Sequence, residues 1–142
     1  ADVYKLPYPH VADGKYDFSF SGLKTAVINT LHNAEQKGEK INIADMSASF
    51  RAAVVDCLVS NFIRAVQDSG YDKLVVAGGV SANRLLRRRL GEICQKHGWS
   101  LYVPEISLCG DNAAMVGAQA YYEYKRGKKA TVNLNAVSVL DI

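Results

Sequence analysis

Two short apolar runs, "KLVVA" (Lys73 to Ala77) and "WSLYV" (Trp99 to Val103), bracket one helical stretch, Asn83 to His97. Each run is too short for a helix and is closed by turn residues, Gly78–Gly79 after the first and Pro104 after the second. Leu86, Leu90, Ile93 and Cys94 recur between them at helical spacing. A second helix follows, from about Asp111 to Lys125, built on Ala113, Ala114, Gly117, Ala118 and Ala120, whose small side chains imply close backbone packing. Strand, helix, strand, helix in that order predicts an α/β layer with parallel strands. An unbroken apolar run such as KLVVA suits a strand buried on both faces.

Upstream, Met46, Phe50, Val54, Leu58, Phe62 and Ala65 mark one apolar face of a long helix, Ile43 to Ser69, which Gly70 ends as a C-cap. Before it come a charged connector (Lys37 to Asn42) and an earlier helix carrying Leu23, Val27, Leu31 and Ala34. Ser21 is the expected N-cap of that helix. Phe18 and Phe20 alternate with serines and give a short strand signal. The first 17 residues read as a loop or extension, and residues 18–142 as one domain, helix-rich with a small, mostly parallel sheet. The tail "GKKATVNLNAVSVLDI" reads as a turn with one more edge strand left open. Two strong strands and two weak ones make a thin sheet for 142 residues, so a segment outside the chain, or a partner, is expected to complete the core. A homodimer of the chain is one such arrangement.

Composition narrows the class. With 49% apolar and 22% charged residues the chain reads as an ordinary globular domain. A net charge of +3 is too weak to argue nucleic-acid binding by itself. Cys57, Cys94 and Cys109 are odd in number, widely spaced and without CxxC, which suggests neither a disulfide framework nor a zinc knuckle. A reducing, cytoplasmic setting is expected. No uninterrupted apolar run approaches the ~18–20 residues of a membrane span, and "ADVYKLPYPH" lacks the regions of a signal peptide. The absence of a starting Met is read as a chain that begins partway through a longer protein.

Ligands of open α/β sheets bind outside the carboxyl ends of the strands. Two loops leave such ends here, "GGVSAN" and "PEISLCGDN". Neighbouring strands would bring Asn83 and Asp111 to one edge, each near a helix N-terminus that favours anions. Gly78 and Gly79 allow a sharp turn and a close approach to the backbone; an ordinary turn capped by Ser81 or Asn83 fits the pattern equally. Arg84 opposes the dipole of the helix it opens, a cost an anion would relieve. Arg84, Arg87 and Arg88 share a face, with Arg89 elsewhere. They read either as a solvated surface or as contacts to RNA phosphates. Ser21 and Lys24 are either a capped helix start with a surface lysine or a small phosphate cradle. Asp111 is either an N-cap or a metal ligand. His10, His32 and His97 are scattered singly, with no HxxxH or HExxH to join it. No catalytic set can be composed, and the catalytic residue is unassigned.

Three stretches in order, "DFSFSGLKTAV" (Asp17 to Val27), "VVAGGVSANRLLR" (Val75 to Arg87) and "CGDNAAMVG" (Cys109 to Gly117), resemble the carboxy-terminal half of the tRNA threonylcarbamoyladenosine transferase family, formerly called O-sialoglycoprotein endopeptidase or glycoprotease. The resemblance implies the carboxy-terminal lobe of an actin-like ATPase (RNase H-like) fold. It implies an intact enzyme that moves a threonylcarbamoyl group from an adenylate to the exocyclic amine of the tRNA adenosine beside the anticodon. Asn83 matches a residue that contacts the nucleotide or adenylate, and Gly78 and Gly79 match glycines on which the adenosine lies. Asp111 matches the acidic ligand of one metal ion, iron or zinc.

The family's two histidine ligands form a His-x-x-x-His pair in its amino-terminal half, and this sequence has no such pair. An isolated chain is therefore expected to be inactive. In the implied acyl transfer the metal polarises or holds the threonylcarbamoyl group, the tRNA amine attacks, and AMP leaves. Lys24 and Arg84 are our own additions, as cations that offset phosphate charge. Implied partners are tRNA, threonylcarbamoyl-adenylate and accessory proteins, with no membrane. Two alternatives stand beside this reading: a non-catalytic module that binds an adenine nucleotide or a partner, and a metal-dependent glycoprotein endopeptidase.

Overall fold

A computed structural model describes residues 3–7, 16–133 and 135. The edge strand left open in the tail falls mainly on residues 136–142, outside the described residues, as does His10. The elements run α1 (Ser21–Lys37), α2 (Ile43–Ser69), β1 (Lys73–Val75), a 3-10 turn (Gly79–Ala82), α3 (Arg84–His97), β2 (Ser100–Tyr102), a second 3-10 turn (Ile106–Leu108) and α4 (Ala113–Lys125). The helix-rich α/β reading is correct: β1 and β2 pair in parallel, Leu74 opposite Leu101 and Val75 opposite Tyr102, with α3 as the crossover.

Local chemistry sets the ends of the helices. Asn42 accepts from Ala44 N and Asp45 N at the start of α2, and Gly70 closes it in the left-handed conformation at φ 71°. Asn83 and Gly98 do the same for α3. At α1 the expectation fails. Phe20, not Ser21, is the cap residue, because its carbonyl already accepts from Lys24 N at 2.9 Å, and its phenyl ring can offer no side-chain bond. Ser21 N–H reaches only Ser19 Oγ, at 3.4 Å.

The core lies where α2 and α3 meet the sheet. Val55, Val59, Leu86 and Leu90 are buried together, with Phe62 and Leu101 packed against them; Val66, Leu74 and Cys94 form a second cluster beside Trp99. Met46 is buried as expected, but further along α2 the buried apolar residues are Val55, Cys57, Val59 and Val66, while the expected Val54, Leu58 and Ala65 are half-buried and Phe50 is 37% exposed. Apolar residues flank the stripe on both sides, so spacing alone leaves the rotation of the helix open by about 100°. Burial raises the thiol pKa of Cys57 and of Cys94 and keeps both neutral. By length and composition α2 could cross a membrane, with mean hydropathy 1.2 over its best window. In this structure it is instead the central core helix, and Asp45, Arg51, Asp56, Arg64 and Asp68 interrupt its surface.

Three expectations need correction. Phe18 and Phe20 form no strand: that segment is irregular, and the side chain of Asn61 donates to the carbonyls of Tyr16 and Asp17, at 3.2 and 3.0 Å, where a neighbouring strand would otherwise bond. The strands are not buried on both faces, since Val75 is 70% exposed and its neighbour Tyr102 is 55% exposed. Nor does α4 pack closely on anything: among its described residues none is buried. The small residues are there, but no surface lies opposite them.

Leu90→Ala should lower the stability of the chain to urea by roughly 2–4 kcal/mol, against well under 1 kcal/mol for the half-exposed Leu31→Ala. Equal losses would mean that the α2–α3 seam is not the centre of the core.

Candidate functional site

The carboxyl ends of β1 and β2 lie side by side because the strands are parallel neighbours. After β1 the chain turns at Gly78, with φ 84° and ψ 172°, a conformation that essentially only glycine adopts. Gly79 then opens the 3-10 turn with ordinary φ, and a Cβ on either glycine would meet nothing within 4 Å. The need for glycine at 78 is thus conformational. At 79 nothing in the described chain requires it.

Asn83 caps α3 through its oxygen alone: Oδ1 accepts from Leu85 N at 2.9 Å and from Leu86 N at 3.2 Å. Its Nδ2 has no partner among the described residues. The two readings of Asn83, cap and ligand contact, are therefore compatible, because each uses a different atom. Arg84 follows in the first turn, exposed and without a carboxylate partner among the described residues.

On the second loop Asp111 is not the cap. Asn112 takes that place, with Oδ1 accepting from Met115 N at 2.9 Å. Asp111 stands one residue earlier, exposed and without a partner among the described residues. No three His, Cys, Asp or Glu side chains among the described residues converge in a way that could hold a metal ion. The metal implied by the sequence therefore does not fit these residues by themselves.

What joins the two loops is a set of side chains that sequence reasoning did not assign. Ser81 and Cys109, 1% and 5% exposed, meet with Oγ donating to Sγ at 3.2 Å. Arg87 reaches across both: Nε donates to Ser81 O at 2.5 Å, and Nη2 donates to Pro104 O at 2.6 Å and to Cys109 Sγ at 3.1 Å. Arg87 thus does not share an outer face with Arg84 and Arg88. Its guanidinium is drawn inward by two loop carbonyls, while Arg88 pairs loosely with Glu92 at 3.9 Å and Arg89 with Asp56 on α2 at 3.6 Å. At such exposure these pairs contribute well under about 1 kcal/mol.

Ser21 and Lys24 are exposed, and no bond among the described residues ties them to the glycine turn. The nearest link is Phe18, three residues before Ser21. It lines an open groove of about 410 Å³ with Tyr16, Leu58, Phe62, Val75, Val80 and Ser81. A second feature also escaped the sequence reading. Residues 121–129, "YYEYKRGKK", hold four cations against Glu123, a charge of +3 that equals the net charge of the whole chain. Lys125 and Lys129 stand 5.6 and 5.0 Å from the rings of Tyr121 and Tyr124, while Arg126 and Lys128 are turned to Glu123 at 3.3 and 3.2 Å. A local charge count would have found this patch where the total could not.

Comparison with known proteins adds the following. The model of the family described as "TsaD: tRNA N6-adenosine threonylcarbamoyltransferase" matches residues 1–118. Among curated relatives, one from Clostridium botulinum (strain 657 / Type Ba4) is 47% identical over 141 residues, 99% of this chain and 42% of the relative. One from Enterococcus faecalis (strain ATCC 700802 / V583) is 47% identical over 95% of this chain and 39% of the relative. One from Listeria innocua is 47% identical over 95% of this chain and 40% of the relative. All three carry the name tRNA N6-adenosine threonylcarbamoyltransferase. The chain spans about two fifths of the length of these relatives.

The two atoms of the Asn83 amide can be tested apart. Asn83→Ala should cost roughly 1 kcal/mol through loss of the cap, whereas Asn83→Asp keeps the acceptor and should stay within about 0.5 kcal/mol. Thermal or urea unfolding measures both, and equal losses would mean that Oδ1 is not the cap.

Proposed function

The chain belongs to the tRNA N6-adenosine threonylcarbamoyltransferase family, and from that premise we propose that it is the carboxy-terminal lobe, actin-like in fold, of such an enzyme. The intact protein transfers a threonylcarbamoyl group from threonylcarbamoyl-adenylate to the exocyclic amine of a tRNA adenosine. This chain supplies one wall of the adenylate site. The observation that carries the reading is the joined pair of loops at the carboxyl ends of β1 and β2, where α/β sheets bind nucleotides.

On that edge each residue has a stated part. Gly78 sets the turn, and the open space before Gly79 lets the adenosine lie against backbone. Asn83 donates through Nδ2 to the nucleotide while Oδ1 keeps α3 capped. Arg84 lies on the same first turn and offsets phosphate charge; Ser21 and Lys24 contribute at the start of α1 once the site is complete. Asp111, unengaged in capping, contributes one donor to a metal centre, iron or zinc, whose other ligands come from outside these residues. Such a metal would act on the threonylcarbamoyl carbonyl as a Lewis acid.

Association follows from what is left bare. The outer face of the sheet, at Val75 and Tyr102, and the uncovered α4 are surfaces for the remainder of the protein, with accessory proteins docking elsewhere. Without that remainder the chain is inactive in transfer and pairs with itself through these surfaces as its concentration rises. It acts in the cytoplasm, where its three free thiols stay reduced. The alternative of a non-catalytic nucleotide- or partner-binding module draws on the same uncovered face, and predicts AMP binding without transfer even in the full-length protein.

Calorimetric titration with AMP tests the site. In the full-length protein Asn83→Asp and Gly79→Ala should each weaken AMP about tenfold, one lost or crowded hydrogen-bonding contact, at unchanged unfolding midpoint. Unaltered AMP affinity in both variants would remove this edge from the adenylate site. The basic end of α4, where Lys125 and Lys129 have no carboxylate partner among the described residues, is taken to contact tRNA phosphates. Lys125→Ala with Lys129→Ala should therefore reduce the slope of log affinity against log salt by about 2. An unchanged slope would take the end of α4 out of the tRNA contact.

A further inference from the structure

We propose that Arg87 is the positioning residue of the adenylate edge: its guanidinium clamps the loop after β2 onto the turn after β1, and so fixes where Asn83 and Asp111 stand relative to each other. The inference rests on the adenylate reading above and adds to it a residue that touches neither ligand nor metal.

The geometry is specific to a planar fork. Nε addresses Ser81 O on the first loop, and Nη2 addresses Pro104 O and Cys109 Sγ on the second. Arg87 belongs to α3, which Asn83 caps, so the clamp is built on the helix whose capping residue is to hold the nucleotide. At its other end Cys109 is two residues before Asp111. Cys109 is secured in turn by Ser81 Oγ at 3.2 Å and, as donor, by Glu105 O at 3.3 Å. No carboxylate neutralises Arg87 among the described residues, which leaves carbonyl dipoles and a sulfur as its partners. A lysine would keep the charge but, with a single ammonium on a flexible stem, could not reproduce bonds that diverge in one plane to two loops. The neighbouring arginines have no such engagement: Arg84 is unpaired among the described residues, and Arg88 and Arg89 make exposed ion pairs.

A loop edge released from this clamp would still fold, because neither Arg87 nor Cys109 belongs to the hydrophobic seam of α2 and α3. What it would lose is a fixed spacing, and misplacement of a binding group by about 1 Å is felt in substrate binding and turnover. A residue that merely stabilised the fold would lower the active fraction, cutting kcat while leaving both KM values alone.

The test uses the full-length transferase with four variants, Arg87→Lys, Cys109→Ala, Cys109→Ser and Asn83→Asp, the probe being AMP. Arg87→Lys and Cys109→Ala should each weaken AMP binding by roughly tenfold, the size of one lost charge-assisted hydrogen bond. They should raise KM for the adenylate and leave KM for tRNA within about twofold. Cys109→Ser, which keeps a donor and an acceptor, should restore most of the affinity lost in Cys109→Ala. Arg87→Lys with unaltered AMP affinity and adenylate KM, or with a fall in kcat alone, would overturn the proposal. If in that case Asn83→Asp still weakens AMP, the adenylate reading stands and only the clamp fails; if Asn83→Asp is also without effect, both fail.

Discussion

The structure depends on α3 lying across two strands of three residues each. Strands so short cannot hold a parallel pair alone, since a parallel ladder needs a crossover and a packed face. Here Leu86, Leu90 and Cys94 press one side of α3 onto Leu74 and Leu101 while Val55, Val59 and Val66 of α2 close the back. Every other feature of interest follows from that crossover. It makes the strands parallel, which puts both strand-leaving loops at one edge, and it aims the N-terminus of α3 at that same edge. The site is a consequence of the packing rather than an addition to it.

The same arithmetic explains why half of the molecule looks unfinished. A parallel sheet ordinarily has both faces covered. In this chain the second face presents Val75 and Tyr102, and α4, with its small side chains, has no described neighbour to approach. The chain spans about two fifths of the length of its relatives, and among the described residues these surfaces have nothing packed against them. Its groove beside Phe18, Phe62 and Val75 lies along the unpaired edge of β1, where more sheet or another layer would pack.

Much of this was legible beforehand, and the reasons are local. Both ends of α2 follow from a cap and a left-handed glycine, signals that involve neighbours in sequence only. The two strands were expected within two residues of where they lie, because continuous apolar runs bounded by Gly and Pro leave little choice. Arg87 was not legible. Helical spacing gives the angle at which it leaves α3, but what makes it turn inward is a pair of carbonyls from loops 6 and 17 residues away. Nor could spacing say that Asn61 would bond the carbonyls of Tyr16 and Asp17 and tie down the chain just before the strand expected at Phe18 to Phe20. In each case the deciding partner is distant in sequence and polar, and hydrophobic periodicity carries no information about it.

Asn83 and Asp111 differ in a way that bears on how such a site is divided between two halves of a protein. Asn83 is held by its own cap bonds, and the turn just before it is held by the bond from Arg87 Nε to Ser81 O. Asp111 stands between Cys109 and Asn112, which are bonded on either side of it, while its own carboxylate has no partner among the described residues. A metal ion asks for several donors at once, and a single carboxylate gives little affinity until the others are in place. Under the proposed function, the contact at Asn83 is the one these residues already hold in place, whereas the metal contact at Asp111 depends on donors that they do not supply.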